Sequence, residues 1–214
     1  MKMIDDLDAA QIRVLGGLLE KEQATPEYYP LTVNALLAAC NQKSNRDPVT
    51  ELTETEVVEA LDALAADTLV WRSEGARVER WRQSISRRLE LDSEEKAVLT
   101  LLMLRGPQTA GELRSRSQRL HRFDDVAAVE DALGRMAAEG RELVVELPRR
   151  PGQKENRWAQ LLGGPVADAP GHVAGSPPQA RSGGLAERLA ALEERVSALV
   201  AEVERLKAAP TARD

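Results

Sequence analysis

The sequence predicts a mainly α-helical fold with small β-hairpins (α+β), and three observations lead to it. Aromatic residues make up only 3% of the 214 residues, so a core must be built from Leu, Val and Ala, which suits small helical units. The apolar pattern that starts at Leu7 returns at Leu91, which indicates a duplicated domain. Near the C-terminus, Leu and Val alternate spacings of three and four residues, which is typical of a coiled coil.

The first helix of each copy opens with two residues that can cap it. Asp8 precedes Gln11 by three positions in copy one, and Asp92 precedes Glu95 in the same way in copy two, as in a capping box. Behind each pair, apolar residues recur at helical spacing. Each copy is therefore predicted to begin with an amphipathic helix.

The second and third helices follow at matching places. We expect the second helix to run from Thr32 to about Cys40 in copy one and from Thr109 to about Leu120 in copy two, where Glu112 completes another capping box. The third helices carry apolar residues at helical spacing. These are Val57, Ala60, Leu61 and Leu64 in copy one and Val129, Ala132, Leu133 and Met136 in copy two.

Two β-prone runs joined by a turn close each copy. Runs and turns cover residues 69–71, 73–75 and 77–81 in copy one and residues 143–147, 148–152 and 156–161 in copy two. Trp81 in copy one has its counterpart in Trp158. Three helices followed by a hairpin is the order of a winged helix, a form of helix-turn-helix, so the sequence predicts two tandem winged-helix domains.

Composition divides the chain into five predicted segments. They are winged-helix domain 1 (residues 1–89), winged-helix domain 2 (90–162), a flexible Gly/Pro/Ala linker (163–184), a short coiled coil (185–208) and a disordered tail (209–214). β-Branched residues at a with Leu at d favour two parallel strands, so we expect a homodimer. The residues of its seam are Leu185, Leu189, Leu192, Val196, Leu199, Val203 and Leu206.

The residue inventory argues against catalysis and metal binding. Two His and one Cys cannot form a Cys/His zinc site within one chain, and no Gly-rich phosphate-binding motif occurs. Cys40 ends an apolar helix, so we expect a small buried hydrophobe. Nothing near His121 in the sequence suggests a nucleophile that it would activate. We therefore expect no catalytic residue, no metal ion, no cofactor and no enzymatic activity.

The sequence also bears on the compartment and predicts a soluble, cytoplasmic protein. The single cysteine excludes an intramolecular disulfide and fits a reducing compartment. No basic-then-apolar signal peptide opens the sequence. No apolar stretch approaches the roughly 20 residues that a membrane-spanning helix needs.

The third helices are acidic, which disfavours the usual way in which a winged helix binds DNA. That helix normally lies in the major groove. In copy one it carries no Lys or Arg between residues 53 and 67, and in copy two Arg135 stands alone among acidic residues. Such helices would meet phosphates with like charge and release no counterions.

Positive charge lies instead on the second helix of copy two, on both hairpins and in the loop before the first acidic helix. Arginine suits phosphate because its planar guanidinium makes paired hydrogen bonds. We therefore predict a DNA-associated or regulatory protein that contacts the phosphate backbone of duplex DNA. The predicted contact residues are Arg114, Arg116, Arg119, Arg122, Arg149, Arg150, Lys154, Arg157, Lys43 and Arg46, and Arg77, Arg80 and Arg82 add charge to the first hairpin.

Other interpretations of the charges stay open. The basic face could be only solvated, or it could bind an acidic protein. The alternative function is a protein-interaction scaffold without direct nucleic-acid binding, in which Glu56, Glu59 and Asp62 on the first acidic helix bind a basic protein partner. Tyr28 and Tyr29 would either pack over the open edge of the first domain or serve as a partner-binding knob.

Several short stretches carry a family resemblance. They are Tyr28-Tyr29-Pro30-Leu31, Asn34-Ala35-Leu36, Ala39-Cys40-Asn41-Gln42-Lys43, Arg105-Gly106-Pro107-Gln108-Thr109 and Gly111-Glu112-Leu113-Arg114. In combination they resemble the YceH family of bacterial proteins over about residues 7–162. The resemblance implies a tandem winged-helix fold and no known activity. The family tends to have histidine where this chain has Gln160, so any role for that imidazole is not carried over.

Overall fold

The computed structural model describes residue 4 and residues 7–73, 78–149 and 152–166. The described part is a mixed α+β structure with two small antiparallel hairpins, as the sequence predicts. It contains seven α-helices, six of them predicted and one, Ile85–Arg88, not predicted. It belongs to one compact unit, residues 1–172. A second unit, residues 173–214, lies outside the described residues.

A set of three helices and a hairpin occurs twice along the described chain. The first set consists of α1 (Ala9–Ala24), α2 (Val33–Cys40), α3 (Glu54–Ala66), β1 (Val70–Ser73) and β2 (Arg80–Gln83), with a 3₁₀ turn (Pro26–Tyr28) before α2. After the short helix α4 (Ile85–Arg88), the second set consists of α5 (Ser93–Arg105), α6 (Ala110–Ser117), α7 (Val126–Ala137), β3 (Val144–Leu147) and β4 (Arg157–Gln160).

The predicted capping boxes are confirmed. The Gln11 backbone N–H donates to Asp8 Oδ1 at 2.8 Å, while the Asp8 N–H donates to Gln11 Oε1 at 3.0 Å. The same reciprocal pair opens α5 and α6. Each cap satisfies two backbone donors that have no partner inside the helix.

Helix α6 ends at Ser117, before the predicted end at Leu120. The Ser117 carbonyl accepts the backbone N–H of both Leu120 and His121, at 2.7 and 2.8 Å. A bond that spans three residues belongs to a 3₁₀ turn and tightens the chain at a helix end. Helix α6 therefore ends about one turn earlier than the sequence predicts.

The two hairpins have matching registers. Trp81 pairs with Arg72 in the first hairpin, and Trp158 pairs with Glu146 in the second. Each tryptophan also bridges to the residue just before the N-cap of the second helix of its set, Trp81 to Leu31 and Trp158 to Gln108. The predicted correspondence of the two tryptophans is confirmed. The strand predicted over residues 77–81 is found at Arg80–Gln83, where it pairs with the four residues of β1.

Helices α1 and α5 join the two sets in one core. Lys96 Nζ lies 3.1 Å from Glu22 Oε2, and Gln23 Nε2 donates to Thr100 Oγ1 at 3.0 Å. The end of α1 thus lies beside the first half of α5, and the two helices run antiparallel. One cluster of buried apolar side chains extends through both sets. Folding of either set therefore buries surface of the other.

Candidate nucleic-acid interface

Helix α6 turns its arginines away from the core. Leu113 and Ser117 are fully buried, whereas Arg114 is exposed and Arg116 is half-buried. The Arg114 guanidinium Nη2 donates to the Asp124 carbonyl oxygen at 2.6 Å and so ties the helix to the loop before α7. The helix therefore buries Leu113 and exposes Arg114, but Arg114 already holds a partner in the fold.

Two side chains near the N-terminus of α6 hold Arg116 in place. Its Nη1 donates to Gln108 Oε1 at 2.7 Å, and its Nη2 lies 3.1 Å from Glu112 Oε1. Gln108 is itself buried and bridged to Trp158. Arg116 therefore supports the junction between α6 and β4, and two of the nitrogens of its guanidinium are engaged inside the protein.

Arg119 and Arg122 differ from the other two arginines. Both are exposed, and neither makes a hydrogen bond or ion pair with another described residue. An exposed guanidinium with no protein partner keeps its donors for an external acceptor. The freely presented charge of this surface thus lies after the end of α6 rather than along it.

The second hairpin supplies further cations. Arg149 Nε donates to Asn156 Oδ1 at 3.1 Å, and Asn156 in turn donates to Glu146 Oε1 at 2.7 Å. Lys154 is exposed and has no such partner among the described residues. Arg157 is half-buried, and its Nε and Nη2 atoms are buried with no hydrogen-bond partner in the described structure. The predicted residue Arg150 lies outside the described residues.

Arg46 does not belong to the surface, and its predicted role as a phosphate contact is wrong. Its side chain is 0% exposed and forms a two-pronged pair with Glu20 of α1, with distances of 3.1 Å from Nη1 to Oε1 and 2.7 Å from Nη2 to Oε2. Nε and Nη2 also donate to the Ala39 carbonyl. Arg46 therefore closes the end of α2 onto α1, while the neighbouring Lys43 is exposed.

The Glu20–Arg46 pair changes the pKa of the Glu20 carboxyl. Burial alone would raise the pKa of the Glu20 carboxyl, but the hydrogen bonds and charge of Arg46 outweigh burial and hold this pKa below its ordinary value. Arg13 lies nearby on α1, and its Nη2 donates to the Pro48 carbonyl oxygen at 2.6 Å. Burial lowers the pKa of Arg13, and the charge of Arg46 lowers it further.

The acidic faces of α3 and α7 are exposed as the sequence predicts. Glu56 completes the cap of α3, because the Thr53 N–H and hydroxyl both donate to its Oε2 at 2.7 Å, and these bonds lower the pKa of Glu56. Asp62 lies 3.4 Å from Arg72. Glu59 makes no hydrogen bond or ion pair with another described residue.

The first hairpin carries a feature that the charge pattern does not reveal. Trp71 is 57% exposed, whereas Trp81 on the opposite strand is 2% exposed. Arg82 pairs with Trp71 across the hairpin and is exposed. Each strand of this hairpin carries one tryptophan, and the sequence alone does not indicate which of the two faces the core. Only the observed register identifies Trp71 as the outward one.

The groups considered for catalysis are engaged in structure. Cys40 is buried, and burial raises the pKa of its thiol to about 12, so it stays protonated. The His121 ring packs edge-on against Phe123 at 4.8 Å, and its Nε2 lies 3.9 Å from Glu94. In the described part of the chain, no group of three His, Cys, Asp or Glu residues could hold a metal ion.

The two adjacent tyrosines lie in different environments. Tyr29 is half-buried and its hydroxyl oxygen accepts the Gln83 backbone N–H, while Tyr28 is 70% exposed. The predicted dimerisation seam, from Leu185 to Leu206, lies outside the described residues. Among the helices within the described ranges, none has the length and apolar character needed to cross a bilayer.

Comparison with known proteins gives a consistent result. Residues 7–153 match the model of a family described as proteins of unknown function, DUF480. The chain is 51% identical to a UPF0502 protein of Acidovorax sp. strain JS42, over 94% of this chain and 92% of that protein. It is 55% identical to the UPF0502 protein of Geobacter sulfurreducens, over 74% of this chain and 73% of that protein.

Proposed function

The chain belongs to the DUF480 family of bacterial proteins, in keeping with the resemblance seen in the sequence, and we propose that it is a non-enzymatic, DNA-associated protein of the cytoplasm. In this proposal the two sets of three helices and a hairpin act as tandem winged-helix domains. Their hairpins and the region after α6 contact the phosphate backbone. In this proposal the hairpins and the region after α6, rather than the third helices, contact the DNA.

One observation carries the proposal. Arg119, Arg122 and Lys154 are exposed cations that have no hydrogen bond or ion pair with another described residue. Phosphate oxygens are acceptors that such groups can bind without first breaking a contact inside the protein. Each phosphate neutralised in this way releases counterions, which favours binding at low salt.

The acidic third helices define the manner of binding in this proposal. Glu59 and Asp62 are exposed on α3, and Glu130 and Asp131 are exposed on α7. A helix that carries these charges is repelled from the major groove. Contacts restricted to the backbone do not distinguish base sequences, so we propose binding that is largely independent of sequence.

In this proposal, dimerisation through a coiled coil over residues 185–208 strengthens DNA binding. A parallel dimer through its Leu and Val seam would present two copies of the binding surface on flexible tethers. Two weak contacts on one DNA molecule reinforce each other, because the second binding event occurs at high effective concentration.

A second candidate function rests on the exposed acid of α3. Glu59 keeps an unpaired carboxylate, at least with respect to the described residues, and it lies on the same helix as Asp62. A basic protein could bind this face, and the chain would then be an interaction scaffold. The two functions differ in their response to DNA, which only the first requires.

Titration of the full-length protein into labelled duplex DNA tests the first proposal. Fluorescence anisotropy at about 50 mM salt, repeated at rising salt, should give an affinity that falls linearly on a log–log plot. The affinity should be the same for duplexes of unrelated sequence. A protein that binds no duplex at the lowest salt would overturn the proposal and favour the scaffold.

A further inference from the structure

The first hairpin has two faces of opposite character. Strand side chains alternate between faces, and the register places Trp71, Ser73, Arg80 and Arg82 on one side. The other side carries Val70, Trp81 and Gln83, which are buried. It also carries Arg72, which is exposed, lies over the Trp81 ring at 5.0 Å and pairs with Asp62 and Glu79. We call the side that contains Trp71 the outer face of the first hairpin.

The outer face exposes an indole beside an unpaired cation. Arg82 lies directly across from Trp71 and makes no hydrogen bond or ion pair with another described residue. Arg80 is anchored at one point, where its Nη1 donates to the Pro30 carbonyl oxygen at 2.9 Å. An exposed tryptophan leaves a large apolar surface in water, a cost that a bound ligand would remove.

The second hairpin offers an internal comparison. Its register places Val145 at the position of Trp71, Ala159 at that of Arg82 and Leu147 at that of Ser73. Ala159 and Leu147 are buried, at 3% and 1% exposure. Val145 is half-buried, and Arg157 takes the position of Arg80. The second hairpin therefore has no exposed aromatic residue at the position of Trp71 and no cation at that of Arg82.

We propose that the outer face of the first hairpin binds single-stranded nucleic acid, with one unpaired base stacked on Trp71 and the flanking phosphates held by Arg82 and Arg80. The inference deepens the proposed function and rests on it, because it names the nucleic-acid form that this second surface recognises. The first hairpin would then add base stacking on Trp71 to the phosphate contacts that both hairpins make.

Charge and geometry favour this ligand over an apolar protein partner. A stacked base covers the ring, while arginines on the same face neutralise the phosphates on either side, which is the usual pattern of single-strand binding. Bases inside an intact duplex are already stacked on both sides, so an indole on a surface hairpin reaches only unpaired or terminal bases. An apolar peptide would leave the charge of Arg82 desolvated and unpaired.

Two oligonucleotides and matched variants of the full-length protein test the inference. The probes are oligo(dT) of about 20 nucleotides and a duplex of about 20 base pairs, both measured by anisotropy. Trp71→Ala should weaken oligo(dT) binding about 5- to 100-fold and leave duplex binding unchanged. Trp71→Phe should retain most of the affinity, because the phenyl ring still stacks. Arg82→Gln should weaken oligo(dT) binding, and Arg87→Gln, an exposed arginine outside this face, should not.

Fluorescence adds a readout that locates the contact. Trp71 is the more exposed and Trp81 the buried indole of the hairpin, so oligo(dT) should quench the emission of wild-type protein, and Trp71→Phe should remove that quenching while binding persists. Unchanged thermal stability of Trp71→Ala would show that the fold is intact.

The outcomes separate the two proposals. Duplex binding without oligo(dT) binding would overturn the single-strand site and leave the proposed function standing. Oligo(dT) binding that Trp71→Ala does not weaken would also overturn the site. A protein that binds neither probe would overturn both proposals and leave the outer face to a protein partner.

Discussion

Gly16 of α1 lies directly against Leu104 of α5: a Cβ built on Gly16 would come within 2.9 Å of Leu104 Cδ2 and 3.2 Å of the Met103 Cβ. The missing side chain is what allows the two antiparallel helices to approach closely. Because these helices connect the two repeated sets, the contact is a joint within one shared core. The two sets should therefore unfold together rather than in separate steps.

A pair of alanine substitutions tests this joint. Both Gly16 and Gly134 lie inside helices, and alanine in a helix normally gains about 0.5–1 kcal/mol over glycine. Gly134 has no atom within 4 Å of its virtual Cβ, so Gly134→Ala should stabilise by that amount. Gly16→Ala must displace Leu104, and overpacking of this kind costs about 1–3 kcal/mol. Urea unfolding followed by circular dichroism measures both.

Two results would contradict close packing of α1 against α5. Equal stabilisation by the two alanines would mean that α1 and α5 separate without cost. Two resolved unfolding transitions in the wild-type protein would likewise contradict the shared core.

The Glu20–Arg46 pair should be costly to break. Arg46→Leu leaves the Glu20 carboxylate buried without its partner, and loss of one member of a buried pair typically costs about 3–5 kcal/mol. The double variant Glu20→Gln, Arg46→Leu should recover part of this loss, because no charge is left unpaired. A double-mutant cycle on unfolding free energies gives the coupling. If Arg46→Leu proved neutral, the guanidinium could not be in the interior.

The same pair predicts a dependence of stability on pH. The pKa of Glu20 is lower in the folded protein than in the unfolded chain, where a glutamate has a pKa of about 4.3. Its contribution is therefore fully present above that pH and is lost as the pH falls through the folded value. Glu20→Gln should flatten the stability profile below about pH 4.5 relative to wild type. An unchanged slope would show that other carboxylates dominate.

Much of the local structure follows from the sequence. The three predicted capping boxes form, α2 ends at Cys40 as predicted, and Trp81 and Trp158 occupy equivalent places. These features depend on residues a few positions apart or on an internal repeat. The burial of Arg46 depends on Glu20, which only the tertiary fold brings to it, and an isolated arginine is expected at the surface. The outward direction of Trp71 likewise depends on strand register.

Charge reversal after α6 tests the proposed duplex contacts. The double variant Arg119→Glu, Arg122→Glu should weaken binding equally for all duplex sequences. It should also flatten the slope of log K against log salt by about 0.9 for each phosphate that the variant no longer neutralises. Arg87→Glu, also exposed, serves as a charge-reversal control. If Arg87→Glu weakened duplex binding as much as the double variant does, the loss of affinity would be due to net charge and not to contacts at Arg119 and Arg122.

The acidic face of α3 separates the scaffold from the DNA-associated protein. Glu59→Lys with Asp62→Lys should abolish capture of a basic partner if the scaffold function is correct, and should cost little stability because both residues are exposed. Glu56 is left unchanged, because it caps the helix. Pull-down from nuclease-treated extract compares the variant with wild type. Undiminished capture by the variant would exclude this face.

The last prediction concerns the proposed coiled coil. Val196 and Val203 at a with Leu192 and Leu199 at d favour a parallel dimer, and a helix over residues 185–208 would span only about 36 Å, so the dimer should be weak. Exposed charge pairs contribute about 0.3–0.5 kcal/mol each, so the apolar seam must supply most of the affinity. The variant Leu192→Glu, Leu199→Glu places charge in that seam and should be monomeric where wild type dimerises. Light scattering across a concentration series measures both proteins. A wild-type monomer at tens of micromolar would refute the coil, and a dimer that survives in the variant would place the interface in the helical unit.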